Sequence, residues 1–153
     1  MRARLMMTML LSLGLVLMAS RGSAQTFPAA LKGKIITSTK EIEVPTAPKD
    51  FVAKVKKQDK SVFKKGESGG YTIYFVAFFN KAVPVDSIGI VVLDDKKEAI
   101  AVADVPEQKG NWSLSSQITV DDTESPGKKH ILQVYYATGK NPVILAKKEI
   151  VLK

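Results

Sequence analysis

The chain has 153 residues, no cysteine and a formal net charge of +8. Without a thiol it can form no disulfide, no thiolate metal site and no acyl-cysteine anchor. Arg2, Arg4 and Arg21 are its only arginines, so the chain beyond residue 24 sets 20 lysines against 15 acids, a net +5.

Arg2 and Arg4 open the chain with positive charge, an apolar run follows from Leu5 to Ala19, and Gly22 and Ala24 are small. This is the three-part layout of a secretory signal peptide, with small residues where the peptidase reads. Cleavage is expected after Ala24. The run is shorter than the ~20 apolar residues of a comfortable membrane span. No later segment is long and apolar enough for one, so the mature chain is expected to have no membrane span. The protein is expected in the periplasm or outside the cell.

Residues 25–48 read as an extended lead-in or edge strand. Ile35 and Ile36 are β-like, Glu41 to Val44 alternates, and Pro45 and Pro48 interrupt the run. Proline cannot donate to a ladder, which confines it to edges. Phe51, Ala53 and Val55 then alternate with Lys54 and Lys56, and this period of two predicts a strand with one charged face. No helix is expected beyond the signal. Gly66, Gly69 and Gly70 mark a turn.

Residues 71–79, Tyr-Thr-Ile-Tyr-Phe-Val-Ala-Phe-Phe, are aromatic, β-branched and uncharged, a strong strand pattern. Residues 87–93 and 98–105 form a hairpin about Asp94-Asp95-Lys96-Lys97. Residues 112–120 alternate Trp112, Leu114, Ile118 and Val120 with Ser and Gln. Residues 130–138 and 143–152 make the last pair of strands, joined through Gly139. Seven to nine short strands with turns every ~8–12 residues predict an all-β antiparallel sandwich. The division is signal 1–24, lead-in 25–48 and sandwich domain 49–153.

Pro126-Gly127 followed by His130, Leu132 and Val134 resembles a segment of fibronectin type III and related immunoglobulin-like domains. In that segment a Pro-Gly turn leads into a strand opened by Tyr, and His130 stands in the place of that ring. Gly110-Asn111-Trp112-Ser113 is similar to a strand opening in bacterial immunoglobulin-like repeats. The resemblance implies an immunoglobulin-like β-sandwich. The chain as a whole is similar to small exported bacterial proteins.

The chemistry is sparse. His130 is the only histidine, so no metal site and no cofactor are expected. Its expected role is to pack at a strand start and bond nearby backbone. Ser61-Val62-Phe63-Lys64 matches the Ser-x-x-Lys of penicillin-recognising enzymes, but the companion motifs are missing. No Gly-x-Ser-x-Gly elbow is present, so a small hydrolase is the least favoured reading. Asp121, Asp122 and Glu124 gather acids in a turn, the oxygen-rich setting calcium prefers. Nucleic acid is not an expected partner, because arginine's planar fork reads guanine and grips phosphate.

Lys54, Lys56 and Lys57 anchor the densest basic patch, which extends through Lys60, Lys64 and Lys65. On an edge strand these lysines would block edge-to-edge pairing; as a contact surface they would suit an anionic glycan, a lipid headgroup or an acidic protein. The strand at 71–79 has no polar face, and 87–93 and 130–136 share that fault. Something must therefore cover Tyr74 and Phe78: the lead-in, a second copy in a homodimer, or a protein partner. Tyr74, Phe78, Trp112 and Tyr135 would instead form a stacking platform in a carbohydrate-binding module. The leading expectation is an exported, non-enzymatic sandwich that binds or scaffolds a cell-envelope or extracellular partner.

Overall fold

The computed structural model describes residues 27–153. The expected signal peptide and its cleavage point lie outside these residues. A single 3₁₀ turn at Ala29–Leu31 precedes β1 (Ile35–Ser38), α1 (Phe51–Lys57) and β2 (Val62–Phe63). Six further strands follow: β3 (Tyr71–Phe78), β4 (Ile88–Leu93), β5 (Ala99–Val105), β6 (Ser113–Val120), β7 (Lys129–Thr138) and β8 (Asn141–Leu152).

These strands form two sheets, one of order β1-β3-β6 and one of order β2-β8-β7-β4-β5. All pairs are antiparallel except β2, which runs parallel to β8. Consecutive strands β3 and β4 lie in different sheets, as do β5 and β6. The all-β, two-sheet sandwich expected from the strand pattern is therefore present, with eight strands.

The main core lies between the sheets. Tyr71, Ile73, Phe75 and Ala77 of β3 face Ile88, Ile90 and Val92 of β4, with Leu132, Val134 and Tyr136 of β7 and Ile150 and Leu152 of β8. Strand alternation sends the intervening residues of β3 the other way. There Val76 and Phe78 join Leu31, Ile36, Ile42 and Val55 in a second buried cluster, flanked by Phe27, Val44, Phe51 and Val52. The doubly apolar strand at 71–79 is explained by two cores, one on each face.

Within residues 25–48 the β-like stretch at Ile35-Ile36 forms the edge strand β1, Ile35–Ser38, and the alternation at Glu41 to Val44 forms no strand. Residues 41–44 stay outside both ladders, although Ile42 is buried. Their backbone partner is a side chain: Gln58 Nε2 donates to the Glu43 carbonyl at 2.8 Å, and the Glu43 N–H donates to Gln58 Oε1 at 2.9 Å.

The predicted strand at residues 51–56 is a helix, α1. Phe51 and Val55 are four apart and Val52 and Val55 three apart, so all three share a helical face. Ala53, which completed the period of two, is exposed, while Val55 has no exposed surface. The helix lays this face on Phe78. Phe27 and Phe51 both meet the Phe78 ring edge-on, with centroids 4.9 and 6.3 Å away. The cover over Phe78 is thus the lead-in together with α1. Three lysines in the last turn, Lys54, Lys56 and Lys57, suit the negative end of the helix dipole.

Gly70 is required where it stands. It turns the chain into β3 with φ of +78°, and a Cβ there would lie 2.9 Å from the Val120 carbonyl oxygen.

Candidate functional site

The most built surface feature lies where the lead-in and α1 meet the last strand. The open edge of β1 is held by the residues that follow the helix. Asp59 Oδ1 accepts the Thr37 N–H at 3.0 Å, and the Lys60 N–H donates to the Thr37 carbonyl at 2.6 Å. Thr37 Oγ1 also donates to the Lys60 carbonyl. The same Asp59 carboxylate accepts Lys148 Nζ from β8. Their side chains are 32% and 12% exposed, so this ion pair joins the two sheets in a partly buried place.

Beside it is a cleft of about 380 Å³ lined by Lys34, Ile35, Ile36, Lys56, Asp59, Lys147 and Lys148. The lysines come from three segments: the lead into β1, the helix, and β8. Among the described residues, Lys34, Lys56 and Lys147 form no ion pair, and the only acid lining the cleft is already engaged by Lys148. Three ammonium groups therefore share a concave surface without a counter-charge. Each is exposed and keeps its hydration, so the arrangement costs little in the free protein and favours an anion.

The predicted basic patch is divided by the helix. Lys56 lines this cleft, while Lys54 and Lys57 line a second groove of about 600 Å³ with Lys40, Glu41, Glu43, Val44, Pro45, Thr46 and Gln58. The two glutamates offset the lysines there. Lys34 and Lys147 were missed because neither belongs to a lysine run with α1; only the fold brings them to Lys56.

The four rings predicted as a platform do not come together. Phe78 is fully buried in the second core, which removes it as a stacking residue. Tyr74, half-buried, pairs across its ladders with Ser38 and Gln117 on the outer face of the three-stranded sheet. Tyr135 lies on the outer face of the other sheet, opposite Gly89, and folds over it. A Cβ at Gly89 would stand 2.5 Å from Tyr135 Cζ. Trp112 is half-buried just before β6, its carbonyl accepting the Phe79 N–H at 2.9 Å. Tyr74 and Tyr135 are on opposite sides of the sandwich, so no flat surface includes both.

His130 has no exposed surface. Its Nδ1 lies 3.0 Å from the Lys128 carbonyl and so carries the proton, leaving Nε2 to accept from Thr123 Oγ1 at 2.7 Å. The Ser125 N–H donates to the same hydroxyl at 3.1 Å. The Ser125 hydroxyl turns away, donating to Asp95. That bond, and then Lys128 Nζ at 3.1 Å, hold the Asp95 carboxyl below the usual carboxylate range. Serine, histidine and acid are thus near one another in the fold but not in sequence of proton transfer, and the imidazole is closed to solvent.

Ser61 and Lys64 flank the two-residue strand β2. A strand alternates its side chains, so residues three apart point to opposite faces and the serine–lysine pair of a helix turn is not formed. In the acidic turn, Asp122 accepts from Lys65 Nζ at 3.0 Å, and this bond holds its carboxyl below the usual range and raises the lysine. Among the described residues no three His, Asp or Glu side chains gather at a metal-holding distance. No described helix is long and apolar enough to cross a membrane.

No protein-family model and no curated protein matches the chain.

Proposed function

We propose that this protein is exported through a signal peptide over residues 1–24 and acts in the periplasm or outside the cell. There it is a non-enzymatic, immunoglobulin-like β-sandwich that binds an anionic polymer of the cell envelope or its surroundings. The observation that carries the binding reading is the convergence of Lys34, Lys56 and Lys147, all unpaired, on the cleft beside Asp59–Lys148. Lysine without arginine suits diffuse attraction to a chain of negative groups better than forked recognition of one. The buried, internally bonded His130 gives a substrate no acid–base group to meet. The immunoglobulin-like reading is supported by sheet-to-sheet crossovers from β3 to β4, β5 to β6 and β6 to β7 in the body of the sandwich.

Two expected results test this. Mass spectrometry of protein recovered from outside the cytoplasm should show an N-terminus at Gln25, and retention of Met1 would defeat the export reading. Binding to a sulfated glycan, read by calorimetry, should weaken ~10- to 100-fold when Lys34, Lys56 and Lys147 are together changed to Gln. That range follows from ~0.5–1 kcal/mol for each exposed charge contact. Binding should also lose much of its salt dependence. A triple variant that binds as the parent does, or equal binding to a neutral glycan, would remove the cleft from the function.

A further inference from the structure

The edges of the two sheets are not equally protected. The open edge of β1 is occupied by Asp59 and Lys60. β2 is two residues long and has Lys60, Lys64 and Lys65 about it. The open edge of β6 alternates Ser113, Ser115, Gln117 and Thr119 with its core residues. β5 differs from β1 and β2 in having no segment or short length to close its edge, and from β6 in carrying an apolar rather than polar side chain at the centre of its open face. It spans Ala99–Val105, pairs only with β4, and makes no backbone hydrogen bond beyond that ladder. Like β6, it contains no lysine and no proline, the residues that usually blunt an edge. Its register with β4 shifts only at its start, between Val92 and Leu93, and Ala101 to Val105 run regularly against Val92 to Ile88. At its centre, Val102 is 60% exposed, the most exposed large apolar side chain among the described residues.

We propose that β5 is a self-association edge, pairing antiparallel with β5 of a second copy about a two-fold axis at Val102. The pattern of the strand is complementary to itself in that register. Val102 would face its own counterpart, Ala101 would face Ala103, Ile100 would face Asp104, and Ala99 would face Val105. No like charges stand opposite one another. In that register Lys97, in the hairpin turn before the strand, would face Glu107 after its close, and Glu98 would face Pro106. Antiparallel pairing thus sets Lys97 of each copy against Glu107 of the other, whereas in-register parallel pairing would set Asp104 against Asp104. Opposed pairs in antiparallel strands have Cβ atoms ~4.5–5.5 Å apart, so two Val102 side chains would cover each other. The two five-stranded sheets would become one of ten strands, joined edge to edge as in strand addition.

β7 and β4 separate β5 from β8, the strand that carries Lys147 and Lys148. The two lysine clefts of such a dimer therefore stay open. A repeating polyanion could engage both, and the second contact would form at the effective concentration set by the first.

Because the chain has no cysteine, a single introduced thiol reports the axis cleanly. Val102→Cys should cross-link to a disulfide dimer under mild oxidation at low micromolar concentration. Ile144→Cys, a comparably open site on β8 at 44% exposure, should remain a monomer on a denaturing gel. In sedimentation, the exported chain should be dimeric, and Val102→Lys should be monomeric with an unchanged far-ultraviolet spectrum. Ile144→Lys should remain dimeric. A parent chain that stays monomeric at 100 micromolar (roughly the upper end of ordinary solution work) would overturn the proposal. So would a Val102→Lys dimer. Dissociation by Ile144→Lys but not by Val102→Lys would place the interface on the sheet face and overturn the edge.

Discussion

Phe78→Ala is expected to cost about 3–5 kcal/mol of folding stability, the range for deleting a fully buried aromatic ring. Phe78 has no exposed surface and is the residue on which the second core is assembled. β3 presents it, the lead-in brings Phe27 and Leu31 to it, and α1 brings Phe51 and Val55. Both flanking phenylalanines meet its ring edge-on, and each such pair contributes about 0.5–1.5 kcal/mol beyond area burial. Alanine would leave two rings facing a cavity that the short helix cannot close. A domain of this size should lose roughly 10–20 °C in Tm. Urea unfolding with an unchanged m-value is the measurement. A loss below ~1 kcal/mol would mean that the helix and lead-in do not form a core with β3. Removing residues 25–48 should have the larger effect of exposing this face, read as dye binding and aggregation, because it deletes β1 as well as the cover.

His130→Ala is expected to cost about 2–4 kcal/mol, combining a cavity with two lost hydrogen bonds. The side chain is fully buried, and both ring nitrogens are engaged, with the Lys128 carbonyl and the Thr123 hydroxyl. The alanine variant leaves that carbonyl without its donor and that hydroxyl without its acceptor. His130→Phe refills most of the volume without the nitrogens, so it should recover the cavity contribution and leave ~1–3 kcal/mol for the unsatisfied groups. Neither variant should change binding of the folded protein to a sulfated glycan. Lost binding with intact stability would give His130 a functional part.

Much of the sandwich is readable in the chain because its strand signals are local. Each of β3 to β8 carries its own run of β-branched or aromatic residues with turn formers at its ends, and all six lie close to where the pattern puts them. The hairpin of β4 and β5 needs only the turn at Asp94, whose carboxylate accepts the Lys96 and Glu98 N–H groups at 2.9 and 2.8 Å. The two apolar faces of β3 also signal that a second layer must exist. Residues 51–57 were misread because spacings of two, three and four coincide over so short a run, and periodicity cannot separate them. Burial separates them: the Phe78 side of β3 accepts Phe51, Val52 and Val55 together, which only a helix can offer.

The candidate site was legible only in part. The lysine density of α1 is written in the sequence, and with it Lys56. Its companions Lys34 and Lys147 are distant in the chain and meet Lys56 only when β1 pairs with β3 and Asp59 draws in Lys148 of β8. The fate of each ring was likewise a tertiary matter. Tyr74 and Phe78 are on the same face of one strand, yet one is fully covered and the other is not, because the Phe27 and Phe51 rings reach only Phe78. Composition and local pattern determined the fold class, the absence of thiol chemistry and the excess of lysine. Which lysines share a cleft, which rings are buried and which edge is open were decided by contacts between segments far apart in sequence, where local propensity carries no information.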